Sequence, residues 1–379
     1  MGVDSFSYGS DLVGFVKAES TYGVPIKPAA TDAFRASSIT MGAPVGREFP
    51  NDVRDTRSRI QRTATRTPVQ PWSAQGILRP SGSTGVAPDM GLFLKQGLGT
   101  ETVSGGTSVT YSLLKDPTAL SLAIYRETTD LGEGVSGAIV QNIAFNWSGD
   151  GFVTWTCDGV GKDYIQTGNS AVNGTSGAAT AVVVDDADFF TPYSVISIDS
   201  DDDIQVTAVN YSTNTLTVAS TTVADDDVVK PYFPTPTLAG DPLFGTDGTL
   251  SLDAGSTTIT HLGGSLSIST GQDLLNTEYG SSSASDVVVP SYREVTGSLD
   301  FLVRKDEANL FTEFRRGVQK DMHITIGTTA GKKMLIDCPV SEIDPSQRDS
   351  PESDMLRYTA NFVALGSGTG ENEVSLLFA

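Results

Sequence analysis

Reactive side chains are sparse in this sequence, and their spacing argues against a catalytic centre. Cys157 and Cys338 stand far apart, in different candidate units, so both read as half-buried free thiols and no disulfide framework is expected. The only histidines are His261 and His323, the latter in the strand-like "KDMHITIG". No Cys/His spacing suits a metal, and neither a metal nor a cofactor is expected. Carboxylate pairs such as Asp185-Asp186 are common, but nothing separates a proton donor from an ionised partner. "DSDDDIQVTAVN" looks superficially like a calcium loop, but Ile204 stands where the turn glycine belongs and Asn210 where the bidentate glutamate should be. No glycine-rich phosphate loop and no G-x-S-x-G elbow is present. The reading is a building block rather than an enzyme.

The charged segments point the same way. Residues 47–79 hold seven arginines (Arg47, Arg54, Arg57, Arg59, Arg62, Arg66 and Arg79) against Glu48, Asp52 and Asp55, with no stacking aromatics among the arginines from Arg54 to Arg66. Ion pairs between subunits suit them better than nucleic acid. Residues 168–240 hold ten aspartates, no glutamate and one lysine. The whole chain carries a formal charge of −21 and would not wrap nucleic acid by counterion release.

The elements behind these side chains are mainly β. The chain has 379 residues, enough for two or three domains, and 39 glycines with frequent turn signals favour short strands. No run is long enough to span a membrane, and "MGVDSFSYGS" has neither a basic region nor an apolar one. Phe6 also rules out a myristoylation signal at Gly2. Residues 1–35 read as an N-terminal arm that a neighbour orders. A first β-rich unit is expected over 36–167, an inserted acidic β-domain over 168–240, and a second unit over 241–379.

The two units read as copies. "YREVTGSLDFLVRKDEANLFTEFRRG" gives a strand with Val295, Leu299, Phe301 and Val303 on one face, then a helix with Leu310, Phe311 and Phe314 as its apolar stripe. Asp306 is placed to cap that helix and Gly317 to end it. Earlier, "PWSAQGILRPSGSTGVAPDMGLFLKQGLG" gives a strand and a short helix opened by Pro88 and closed near Gly97 or Gly99. Asp89 precedes Leu92-Phe93 as Glu307 precedes Leu310-Phe311. "GAIVQNIAFNWSGDGFVTWTCDGVG" then parallels "KKMLIDCPVSEIDPS…MLRYTANFVALG".

In "VGFVKAESTYGVP", in that first strand–helix and in "YREVTGSLDFLVRKDEANLF", the chain resembles the major tail tube proteins of long-tailed, non-contractile bacteriophages. The resemblance covers roughly residues 12–167 and 236–379. It implies tandem tail-tube β-sandwich or barrel units, each with a flanking α-helix, and a small inserted β-domain on the tube exterior. It also implies a structural virion protein that stacks as rings into a hollow tail tube for DNA ejection into the host. With two units per chain, a pseudo-hexameric trimer is preferred over a hexamer.

Further partners implied are the tape measure, tail tip and terminator proteins. Viral DNA would pass the acidic lumen without specific binding, and no membrane insertion is expected. The location implied is the virion tail, assembled in the host bacterial cytoplasm. Arg54, Arg57, Arg59, Arg62 and Arg66 are the candidate inter-ring contacts. The alternative is an extracellular or baseplate-type β-sandwich that binds glycan or protein through residues 168–240, where Phe189, Phe190, Tyr193 and Tyr211 offer aromatic surface.

Overall fold

A computed structural model describes residues 13–44, 46–48, 63–64, 67–115, 121–128, 131–253, 257–304, 308–345, 355–368 and 370–379. Among the described residues the fold is mainly β, with two eight-residue α-helices, α1 (Gly91–Leu98) and α2 (Ala308–Arg315). The alternation read from the sequence holds: in the strand Glu294–Leu302, Val295, Leu299 and Phe301 are buried while Thr296, Ser298 and Asp300 lie on the other face.

The repeat is visible strand by strand. Gln70–Ile77 pairs with Thr154–Gly161, and Glu294–Leu302 pairs in the same register with Arg357–Ala364. The next strand in each copy is long, Leu131–Ser148 and Met334–Pro345. Each shifts register where its neighbouring strand, Leu122–Thr128 or Lys320–Ile326, reaches its first residue: between Val135 and Ala138, and between Cys338 and Ser341. At that shift each long strand passes from one layer of the fold to the other. The corresponding outer strands Val13–Ala18 and Gly248–Leu252 pair with Leu122–Thr128 and Lys320–Ile326.

One hydrophobic core runs through both copies. It includes Trp72, Phe93, Ile143, Phe145 and Trp155 from the first and Leu299, Phe301, Ile336, Phe362 and Leu376 from the second. Phe93 on α1 anchors it, stacking on Trp72 at 5.5 Å and meeting Phe34 edge-on at 5.1 Å. Gly97 lets α1 lie close to the sheet, because an added Cβ would sit 2.6 Å from Ile143 Cδ1. Gly99, at φ +109°, then turns the chain out of the helix while its N–H donates to Lys95 O.

Three sequence expectations change. Matching Leu92-Phe93 to Leu310-Phe311 misaligns the buried faces: Phe93 and Leu94 are buried in α1, but Leu310 and Phe314 in α2. Helical side chains three or four apart share a face, so a matched dipeptide can sit one position out. The expected arm does not need a neighbour from Val13 onward, because Val13–Ala18 forms a six-residue ladder with Leu122–Thr128 of the same chain. Residues 1–12, Asp306 and Glu307 lie outside the described residues. Third, the hairpin Gly99–Ser104 and Ser108–Leu113 of the first copy joins the second, pairing with Ser375–Phe378.

Between the copies, residues 170–231 form a separate six-stranded sheet around Val182, Phe190, Ile196, Val206, Leu216 and Val229. Asp199, Asp203 and Asp226 occupy left-handed backbone positions in this segment, which aspartate tolerates better than branched residues do. It adjoins the first copy through Lys27 Nζ to Asp203 (2.7 Å) and Gln205 Nε2 to Pro25 O (3.0 Å). Phe233, just after the sheet, packs on Phe15 and Tyr125.

Candidate functional site

The feature that the repeat builds is a sheet, not a pocket. Eight strands run edge to edge across both copies. Ser38–Met41, Gln70–Ile77, Thr154–Gly161 and the second half of Leu131–Ser148 come from the first. His261–Ser269, Glu294–Leu302, Arg357–Ala364 and the end of Met334–Pro345 come from the second. The copies meet where Asn142 to Ser148 pairs with Ser269 to Gly263.

One face of this sheet is the core; the other is open and tiled with small polar side chains. Asn142 Nδ2 donates to Asp158 Oδ2 (2.8 Å), Ser265 and Ser298 share a hydroxyl bond (2.9 Å), and Thr359 Oγ1 donates to Asp300 Oδ1 (2.6 Å). These cross-strand pairs occupy hydrogen-bonding groups that would otherwise seek a ligand. The charges are Asp158, Glu294, Asp300, Glu342 and Asp344 against Arg357. Among the described residues, this open face is therefore acidic and without a lysine. The outermost strands, Ser38–Met41 at one end and the Glu342–Pro345 segment at the other, pair on their far side with no strand among the described residues.

The opposite layer faces the insert. Val16, Ile124 and Val135 point into the common core, while Phe15, Ala123, Tyr125 and Ile165 form a second cluster under Phe233. The insert thus adjoins the layer turned away from the open polar face.

Other candidates fall into place individually. Cys157 and Cys338 are both fully buried, and burial pushes the Cys338 thiol up to about 12 and Cys157 further, which keeps both unreactive. Arg54, Arg57, Arg59, Arg62 and Arg66 lie outside the described residues; the hairpin stem around them is described, with Arg47 opposite Ala64 and Glu48 opposite Thr63. Asp201 accepts from Thr221 Oγ1 (2.8 Å) and Thr222 N (3.2 Å), so this aspartate of the calcium-like stretch is bonded to protein. Of the insert's aromatics, Phe190 is core, Tyr193 packs at the junction, and Phe189 and Tyr211 are 44% and 50% exposed.

Sequence spacing missed one cluster. His323 Nε2 lies 3.1 Å from Asp321 Oδ1 and His323 Nδ1 3.0 Å from Asp337 Oδ1. The alternation of Asp321 and His323 on one strand was visible, but their pairing with Asp337 depends on register across a hairpin. All three side chains are partly exposed, while the two oxygens that face the imidazole, Asp321 Oδ1 and Asp337 Oδ1, are buried and make no hydrogen bond among the described residues.

A family model described as phage tail tube protein matches residues 9–219, more than half of the chain. No curated protein matches it.

Proposed function

The chain belongs to the phage tail tube protein family, and on that premise we propose that it polymerises into stacked rings forming the hollow tail tube of a long-tailed, non-contractile phage. The observation that carries this reading is the eight-stranded sheet shared by the two copies and left open at both ends. An exposed sheet edge is a template for another chain, and ring closure is one way of removing it. The internal seam, where Asn142 to Ser148 meets Ser269 to Gly263, is a pattern for the external one. By repeat correspondence, the Glu342–Pro345 edge of one copy joins the Ser38–Met41 edge of the next.

This geometry favours three chains per ring. Three eight-stranded sheets close as twenty-four strands; at about 4.8 Å per strand and the usual tilt the barrel is roughly 45–50 Å across before side chains are counted. That admits a B-form duplex. Six chains would double the width. The acidic, hydrogen-bonded part of this face around Asp158, Asp300 and Asp344 would line the bore and repel phosphate over a range of about 8 Å at physiological salt, so that DNA slides without a deep binding minimum. The insert, on the other layer, would decorate the exterior. Residues 1–12 and the ends of the sheet are left for contacts between stacked rings and with other tail proteins.

Negative-stain microscopy with light scattering on the purified chain tests the reading. Hollow tubes or rings of three chains are expected. Protein that stays monomeric under crowding and with tail-tip proteins would refute it. Met41→Pro gives a finer test. Gly42 N donates to Pro71 O, so by strand alternation the N–H of Met41 points away from the Gln70–Ile77 strand. Proline there should abolish rings while leaving the monomer folded; normal tubes from this variant would exclude the proposed edge.

A further inference from the structure

The two copies carry corresponding hairpins in contrasting surroundings. In the second copy the hairpin between its first two sheet strands pairs Asp273 with Val288 and Leu274 with Val287. It lies over the first copy, where Leu274 and Ala284 cover the fully buried Ile139, with Val69 and Val160 beside them. Buried amides fasten it: Gln96 Nε2 donates to Gln272 Oε1 (2.7 Å), and Gln272 Nε2 donates to Gln96 O (3.2 Å). In the first copy the equivalent hairpin pairs Arg47 with Ala64 and Glu48 with Thr63.

Register identifies the equivalent seat on the second copy. Val160 and Val363 each occupy the seventh position of their eight-residue strands, opposite Ile139 and Glu342 respectively. Val69 and Glu294 each precede the residue opposite the end of that strand, Gln70 facing Gly161 and Val295 facing Ala364. The apolar trio Val69, Ile139 and Val160 is thus replaced by Glu294, Glu342 and Val363. Both glutamates are exposed, and Val363 is 40% exposed. The hairpins differ in the matching sense. Residues 270–293 hold three acids and one arginine, whereas residues 47–66 hold six arginines and three acids.

We infer that the end of the open face bearing Glu294, Glu342 and Val363 is the docking surface for the arginine-rich segment, residues 47–66, of the next chain in the ring. This rests on the ring reading above and refines it: these arginines hold neighbours within a ring, not one ring to the next. The change of chemistry has a physical reason. A seat covered by its own chain is never exposed, so it can be apolar. A seat covered only on assembly must stay soluble beforehand, and carboxylates meet that need while presenting bidentate acceptors to guanidinium groups.

Disulfide trapping in the full-length chain tests this directly. Val363→Cys is combined in turn with cysteine at Arg54, Arg57, Arg59 or Arg62, and the assembled protein is oxidised and run on non-reducing gels. At least one pair should give linked chains that stop at the ring number, three. A ladder that continues beyond the ring number would place the hairpin between rings and overturn the inference. Tubes with no cross-link from any pair would overturn it too, leaving the ring reading intact. Failure of the unmodified chain to assemble under crowding or with tail-tip proteins would overturn both. Independently, E294R/E342R should reduce tube yield at least tenfold, and adding R54E/R57E/R59E/R62E to the same chain should restore it. Restoration absent from a chain whose circular dichroism is normal also counts against the pairing.

Discussion

The two copies share a frame but are covered differently. In the first, α1 is enclosed: Phe93, Leu94, Gly97 and Leu98 are buried, and the 99–113 hairpin and the loops of the second copy close over it. In the second, Leu310 and Phe314 are the well-buried side chains among those described in α2, and Glu313 on its flank pairs with Lys320 at 2.8 Å. The outer strands differ likewise: His261–Ser269 runs nine residues with a partner on each side, while Ser38–Met41, its counterpart, runs four with one. A repeat inside one chain therefore shows both a satisfied and an unsatisfied version of the same surface. Where the copies diverge, one has been covered by its own chain.

The sharpest break in this comparison is expected at the helices. Phe93→Ala should cost about 4 kcal/mol in denaturant unfolding, since its ring is wholly enclosed by Phe34, Trp72 and Trp155. Phe314→Ala should cost less, because α2 leaves neighbours free to relax; equal losses would mean that the helices are equally enclosed. Next in size is Gln96→Ala. Gln96 Oε1 accepts from Val140 N at 2.7 Å, so truncation strands a buried N–H and should cost about 2–3 kcal/mol. The part-exposed counterpart Glu313→Ala should cost under about 1 kcal/mol.

A pH series sharpens the comparison further. Glu127 in the first copy stands in register with Thr325 in the second, and burial pushes its carboxyl up from 4.5 to about 7. The folded chain holds that proton more tightly than the unfolded one. This group's stabilisation is therefore complete below about pH 4.5 and lost as pH rises through about 7. Glu127→Gln should leave stability unchanged at pH 4.5 and raise it at pH 8 by about 1 kcal/mol, after allowance for solvent screening of a part-exposed group. An equal gain at both values would assign the effect to packing. The smallest expected effect is Lys27→Ala, below about 0.5 kcal/mol, because both partners of its pair with Asp203 are over two-fifths exposed.

Much of this was legible in the sequence because it is local. Alternation gave the strands at Glu294–Leu302 and Lys320–Ile326, and the i, i+4 pair Leu310 and Phe314 gave the buried face of α2. The order of elements gave the repeat. Pairings between distant segments were not legible. Nothing near Ser108–Leu113 says that it adds to Ser375–Phe378, and nothing near His323 names Asp337. The acidic open face was hidden for the same reason: Asp158, Asp300 and Glu342 share a surface only once five registers are fixed. Charge totals announced acidity without saying where it would gather.

The strand Ser375–Phe378 lies between Met334–Asp337 on one side and Val109–Ser112 on the other, with Leu376 opposite Tyr111 about 265 positions away. Such a contact closes a very long loop, and chains rich in such contacts fold slowly. It also imposes an order on synthesis. A ribosome adding about 5–20 residues per second finishes the 99–113 hairpin many seconds before its partner exists. During that interval the hairpin offers a bare edge to whatever is nearby. Completion of the first copy is thereby tied to completion of the second, and a truncated chain would carry an open edge into the cell.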